Sequence, residues 1–256
     1  MSARALVLDC DGVLAETERD GHLVAFNRAF EQVGLPFRWG TQEYGPMLRI
    51  GGGKERLGAY LADHPEFDLG DGAAIDALVA EVHARKTAVY VALIDSGDIP
   101  ARPGVARLIG EALDAGWQVA CASTSAPSSV EAVLRTVIGE EQRSRIAGVF
   151  AGDVVPAKKP APDIYLLALD RLGRQPTDVL VVEDSQSGAA AAAAAGLAHL
   201  VTVSHYTAED AFPAAGAVVS DLGDPGLPRV ELRAGVDPRN ADGFVDLEGI
   251  ERVVGA

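Results

Sequence analysis

Two short runs, Ala5-Leu6-Val7-Leu8 and Val179-Leu180-Val181-Val182, are apolar at every position. A strand with one wet face alternates apolar and polar residues, because successive side chains point to opposite faces. An unbroken run must bury both faces, and a parallel sheet covered by helices on each side does this. Both runs end in acid: Asp9 and Asp11 follow the first, Glu183 and Asp184 the second. Ligands of an open parallel sheet bind outside the carboxyl ends of its strands. The same boundary therefore constrains the fold and points to a site.

The rest of the chain extends this pattern. A helix from Val105 to Ala115 stops at Gly116, and residues 117–122 read as a strand. A helix from about Ser128 to Ile138, a strand at Val149-Phe150-Ala151 and a helix from Asp163 to Arg171 follow. The alanine run from Ala189 to Ala195, closed by Gly196, is a helix with a glycine cap. Residues 200–203 and 217–219 are further strands. Strands alternating with helices predict an α/β fold with a doubly wound parallel sheet.

Residues 16–93 break the alternation. Leu23, Phe26, Ala29, Phe30 and Val33 have helical spacing, stopped by Gly34 and Pro36. A loop at Gly51-Gly52-Gly53 and helices over 54–61 and 75–91 complete the block. Because a strand precedes it, the block reads as a helical cap domain, 16–93, inserted into a core made of 1–15 and 94–256. The tail from Asp221 to Ala256, dense in glycine and proline, reads either as a hairpin on the core or as an arm facing a partner.

Charge narrows the function. Lys and Arg number 22 against 37 Asp and Glu, a formal net charge of −15 over 256 residues. Such a chain is a poor ligand for nucleic acid, whose phosphates need a basic face, and for anionic membranes. No run of 18 apolar residues marks a membrane span. Two cysteines, Cys10 and Cys121, make no disulfide framework and fit a reducing compartment. That points to the cytoplasm, or to the plastid stroma if a leader was removed. The expected partner is a small molecule. A monomer is the simplest reading, with the oligomeric state left open.

Four polar groups follow strands or open helices. Asp9-x-Asp11-Gly12 offers two carboxylates that can divide labour, one as nucleophile and one as acid and base; it also reads as a plain turn. Ser123-Thr124-Ser125 can cradle a phosphate at a helix start, or simply cap that helix. Lys158-Lys159-Pro160 can aim an ammonium from a rigid loop, or lie on a solvated surface. Glu183-Asp184-Ser185 suits a hard cation such as Mg²⁺, or caps the alanine helix. Together they make one charge-balanced unit. Several carboxylates beside a phosphate repel one another, and a divalent cation and a lysine offset that repulsion.

These residues resemble the four motifs of the haloacid dehalogenase superfamily: Asp9-Cys10-Asp11-Gly12-Val13-Leu14, Ser123, Lys159 and Glu183-Asp184. Within it, the chain is similar to CbbY-type phosphatases through Ala15-Glu16-Thr17-Glu18, Gly52-Gly53-Lys54-Glu55-Arg56, residues 158–165 and residues 183–188. The resemblance implies hydrolysis of a sugar bisphosphate, xylulose 1,5-bisphosphate in that group. It implies Asp9 as nucleophile, forming an aspartyl-phosphate, and Asp11 as acid and base. Mg²⁺ would be held by Asp9, the Asp11 carbonyl, Asp184 and Glu183. Ser123 and Lys159, with Thr124 and Ser125 beside them, would hold the phosphoryl group. Lys159 is preferred to Lys158 because it precedes Pro160. Val13 departs from the commoner threonine, and Cys10 and Cys121 read as core.

The cap bears on the substrate. A bisphosphate needs a second anion site; the resemblance suggests the loop Gly51, Gly52, Gly53 and Lys54, with Arg56 beside it, and Arg49, a departure from the family pattern, is a further helper. Glu16 would hydrogen-bond sugar hydroxyls. No histidine is assigned a role. Competing readings are a phosphomutase of the β-phosphoglucomutase kind, a phosphoglycolate-type phosphatase, a non-catalytic sugar-phosphate sensor and a true dehalogenase.

Overall fold

The computed structural model describes residues 4–255. The sheet has seven strands: β1 (Ala5–Leu8), β2 (Gln118–Ser123), β3 (Gly148–Ala151), β4 (Val179–Glu183), β5 (Ala198–Thr202), β6 (Ala217–Val219) and β7 (Leu232–Gly235). Their order is β3-β2-β1-β4-β5-β6-β7, parallel except for the β6–β7 pair. The apolar run of β1 lies at the centre, between β2 and β4. Both its faces are buried, as an unbroken run requires: Leu6 and Leu8 belong to one core, Ala5 and Val7 to the other.

Helices cover both faces. The Leu6 face packs α5 (Val105–Asp114) and α6 (Pro127–Ser144) through Leu108, Ile109, Val130 and Val133. The Val7 face packs α7 (Asp163–Leu172) and α8 (Gln186–Ala194) through Ile164, Tyr165, Ala191 and Ala192. The short side chains of α8 let its backbone approach the sheet closely. Cys10, Cys121 and Val13 are all buried, so Val13 fills space where a hydroxyl would need a partner.

The tail completes the sheet. β7 pairs antiparallel with β6, and α9 (Leu247–Val254) buries Ile250 and Val253 against the sheet core. Of the two readings of the tail, a hairpin on the core and an arm facing a partner, the structure shows the first, with the helix α9 added to it. The helix has a legible start: Asp246 caps it, accepting from Gly249 N, and its apolar residues recur every three to four positions.

The inserted block contains α1 (Leu23–Val33), α2 (Thr41–Met47), α3 (Gly53–Asp63) and α4 (Gly72–Asp95). Gly34, at φ 75°, ends α1 in the left-handed conformation that glycine tolerates best. α2 has no counterpart among the expected helices, because Gly45 and Pro46 lie inside it. α4 begins three residues before the expected start, where the Asp71 side chain caps it, and ends four residues late. The block has its own apolar core, built on Phe26, Phe30, Trp39, Tyr44, Leu57 and Tyr60. Truncating such a side chain costs about 3–5 kcal/mol.

One local feature leaves no trace in the periodicity. Residues Glu18–His22 form a single π-turn ahead of α1. A π-turn accommodates one extra residue, and so rotates the segment on its N-terminal side relative to the helix on its C-terminal side. The chain enters and leaves the block side by side: Ala15 bridges Ala101, and Arg102 N donates to the Leu14 carbonyl at 2.9 Å. Among the described residues, no helix is long and apolar enough to cross a membrane.

Candidate active site

The ends of β1 and β4 meet. Asp9 N donates to the Val182 carbonyl at 2.9 Å, which sets Asp9 beside Glu183 and Asp184. Oxygens of these three carboxylates lie within 4.8 Å of one another. Gly12 turns the chain away at φ +79°, and a Cβ there would overlap the Asp184 carboxylate. Both the turn and the approach of Asp184 require glycine.

Lys159 ties the acids together. Its Nζ donates to Asp9 Oδ1 at 2.5 Å, to Glu183 Oε1 at 2.6 Å and to the Ala122 carbonyl at 2.9 Å. Burial opposes its charge, but Asp9 and Glu183 hold the ammonium well above its ordinary pKa. Glu183 is fully enclosed. It also accepts from the Tyr165 hydroxyl at 2.5 Å and from Asp184 N and Ser185. Burial alone would raise its carboxyl, but Lys159 and these donors lower it. Asp184 is raised well above the carboxylate range, first by burial and then by Glu183 and Asp9. Asp9 is likewise raised, mainly by burial, against the pull of Lys159. Asp9 and Asp184 thus form a buried, hard-oxygen pair whose charge is incompletely offset, which suits a divalent cation.

Asp11 has different surroundings. Its Oδ1 accepts from Thr17 Oγ1 at 2.5 Å and Tyr90 OH at 3.2 Å, and lies 2.8 Å from His22 Nε2; its Oδ2 accepts from Ser125 Oγ. Burial works against the carboxylate, but His22, Ser125 and Thr17 overcome it and hold the group far below its ordinary range. Behind His22 stands Lys86, with Nζ 2.6 Å from Nδ1. An ammonium only donates, so Nδ1 accepts and the ring proton sits on Nε2, aimed at Asp11. Burial lowers Lys86 from 10.5 to about 8. Sequence reasoning misses this group, since it gives no histidine a role; the π-turn brings His22 in, and Lys86 comes from the distant α4.

The other expected residues divide into two sets. Ser123, Thr124, Ser125 and Lys159 line the catalytic chamber together with Gly51, Gly52 and Gly53. Gly51 abuts the Lys159 carbonyl, which a Cβ would approach to 2.9 Å. Lys54 turns outward to pair with Asp153 at 2.5 Å. Lys158 pairs with Glu55 at 2.6 Å and Asp153 at 2.9 Å, so the two adjacent lysines have separate tasks. Glu16 pairs with Arg102, whose guanidinium also donates to the carbonyls of Val203 and Ser220. Glu18, not Glu16, lines the chamber, where it accepts from Tyr44 OH at 2.8 Å. Arg56 is buried, donating to Tyr44 OH at 2.7 Å and to the Met47 and Ile50 carbonyls.

An acid pair, a lysine and a serine thus gather at one end of the parallel sheet. The family model for haloacid dehalogenase-like hydrolases covers residues 3–196. The chain belongs to the haloacid dehalogenase-like hydrolase family. It is 46% identical over 230 residues to a CBBY-like protein of Arabidopsis thaliana, covering 89% of this chain and 72% of that protein. It is 42% identical over 241 residues to the plasmid-encoded CbbY of Cupriavidus necator, covering 93% of each. A mutant CbbY from Rhodobacter sphaeroides, solved in complex with xylulose-(1,5)bisphosphate, superposes with a TM-score of 0.78 at 38% identity, covering 88% of this chain and 96% of that one. This haloacid dehalogenase-like hydrolase is a phosphatase of the CbbY type, acting on phosphoric monoesters.

Proposed function

We propose that the protein hydrolyses a sugar bisphosphate, with xylulose 1,5-bisphosphate as the leading candidate, through an aspartyl-phosphate on Asp9. The observation that carries this reading is the division of labour across one turn. Asp9 faces the lysine and the acids of β4, whereas Asp11 faces hydroxyls and an imidazole. Attack of Asp9 on phosphorus forms one P–O bond and breaks the bond to the sugar oxygen. Asp11 passes to that oxygen the proton that His22 Nε2 gives it, and Lys86 replaces it by giving its own proton to His22 Nδ1. Asp11, back in the carboxylate form that its donors favour, then accepts a proton from the water that releases phosphate.

Asp9, Asp184 and the Asp11 carbonyl would hold Mg²⁺, with Glu183 behind them as the acceptor that aims Lys159. When bound, the ion would offset the negative charge of the phosphoryl group. Ser123 and Lys159 would grip that group, with the N-terminus of α6 adding backbone donors. Thr124 and Gly51–Gly53 wall the chamber, and the helical block, 16–93, closes over it as a cap that excludes water. The compartment consistent with this reading is the cytoplasm or the plastid stroma.

The test is phosphate release from a panel of sugar mono- and bisphosphates, phosphoglycolate and β-glucose 1-phosphate, with Mg²⁺ or with excess chelator. Mg²⁺-dependent preference for a pentulose bisphosphate is expected. Isomerised sugar phosphate without release would replace the reading with a mutase. Full activity in chelator would remove the metal from it.

A further inference from the structure

The segment that follows β5 makes one wall of the catalytic chamber. Ser204, Tyr206 and Thr207 line that chamber together with Asp184. The segment has no helix or strand of its own, and such connections are mobile unless something ties them down. Its internal bonds are local: Ser204 N donates to Thr207 Oγ1 at 2.9 Å, and Thr207 N to the Ser204 carbonyl at 3.2 Å. They shape the turn but do not fix it to the core.

Arg102 supplies that fixing. It stands where the chain re-enters the core, and its fork reaches three acceptors at once. Nη2 donates to the Val203 carbonyl at 2.8 Å and to the Ser220 carbonyl at 2.7 Å, while Nη1 pairs with Glu16. Val203 and Ser220 directly follow β5 and β6. Glu16 in turn accepts from His205 N at 3.4 Å, so the pair holds the segment at two points. The Arg102 side chain is only 6% exposed. If the segment moved away, a buried charge would lose acceptors, which is costly.

We infer that Arg102 is a positioning residue: it fixes the 203–207 segment, with Glu16 as its counter-ion, and so sets Ser204 beside Asp184. The inference rests on the reading above of Asp184 as a residue that holds Mg²⁺. Burial raises the Asp184 carboxyl, Glu183 and Asp9 add to the rise, and the Ser204 hydroxyl and the Arg102 charge work against it. On its other side the segment meets the inserted block. Tyr206 packs edge-on to Tyr44, with 6.1 Å between ring centres, and a Cβ on Gly45 would come within 3.0 Å of its ring. The segment thus stands between α2 and the acid end of β4, and Arg102 anchors its near end. A lysine could supply the charge, but not three contacts from one planar group. Glu16 then works at the junction of block and core, not on the sugar.

Two measurements on the full chain test this: calorimetric Mg²⁺ binding without substrate, and hydrogen exchange of the 203–207 amides. The variants are Arg102→Gln, Arg102→Lys, Ser204→Ala, Arg102→Gln with Ser204→Ala, and Glu16→Ala. Losing a partner of a metal-holding carboxylate commonly weakens metal binding by about 10–100-fold, so Ser204→Ala and Arg102→Gln should each weaken Mg²⁺ by about 10-fold. The double variant should fall within about 2-fold of either single one, because both act through one contact. Exchange of the segment should quicken by about 10-fold or more in both Arg102→Gln and Arg102→Lys. Additive losses in the double variant overturn the inference. So does an Arg102→Lys that matches wild type in both measurements, since a charge acting through space would then suffice. If Arg102→Gln does not fold, Glu16→Ala decides: faster exchange with weaker Mg²⁺ binding supports the anchor, and no change in either overturns it. If wild type binds no Mg²⁺, the metal reading fails, while exchange still shows whether Arg102 holds the segment.

Discussion

Asp9 and Asp11 are separated by one residue, yet they are held by opposite physics. The Asp9 region is a knot of full charges: one ammonium against three carboxylates, all buried. The Asp11 region is mostly hydroxyls and an imidazole that donate to one carboxylate. Charges pair strongly but leave a surplus; burial first, and then that surplus, pushes Asp9 and Asp184 up and favours a cation. Hydroxyls can turn between donating and accepting without changing charge. Asp11 can therefore gain and lose a proton among partners that do not leave. In the proposed mechanism, a nucleophile that must meet an anion and an acid–base group that must cycle call for different surroundings, and one turn provides both.

That comparison can be broken at either pole. The largest effect is expected from Asp9→Asn, which removes the proposed nucleophile while keeping the shape; phosphate release should fall to background. Asp11→Asn should reduce kcat by about 10²–10⁴-fold, the usual range for losing a general acid–base, with KM little changed. A smaller loss, about 10-fold or more, is expected from His22→Asn, because the carboxylate keeps Thr17, Ser125 and Tyr90; the pH–rate profile should move. A pH profile identical to wild type would remove His22 from the proton path.

Lys86 sharpens the contrast through stability. The unfolded chain keeps this proton up to about 10.5, the folded protein only to about 8. The unfolded state therefore binds more protons between those values, and stability rises with pH across the window. At about 1.4 kcal/mol per pH unit, the gain approaches about 3 kcal/mol. Urea unfolding at pH 8 and pH 10 should show the rise in wild type and its absence in Lys86→Met. The smallest effect is expected at the rim: Lys158→Ala, removing one ion pair to Glu55 of the block and one to Asp153 within the core, should cost about 1 kcal/mol or less in melting experiments.

Sequence reading reaches the groups that follow strands. Asp9, Asp11, Ser123, Lys159, Glu183 and Asp184 all gather at one sheet edge, because strand ends in a parallel sheet share a side. It fails where a distant partner decides where a side chain goes. Glu16 and Glu18 look alike in sequence, but Arg102 draws the first away from the chamber. Lys54 has the marks of an anion binder, but Asp153, 99 residues on, takes its ammonium. His22 carries no local mark, because its place depends on the extra residue in the π-turn and on Lys86, 64 residues away.

The bridge between Ala15 and Ala101 has a consequence of its own. The inserted helices leave the core and return to it through adjacent positions, and they carry their own aromatic centre. Everything between those two alanines enters and leaves the core at one place, and it is further seated by α4 against α6 and by the ion pairs of Lys54 and Lys158. A short linker in its place would leave each strand pair of the sheet unchanged, with Asp9, Lys159 and Asp184 still at its edge. Substrate range can then evolve by exchanging cassettes, while the bond-breaking machinery is inherited whole.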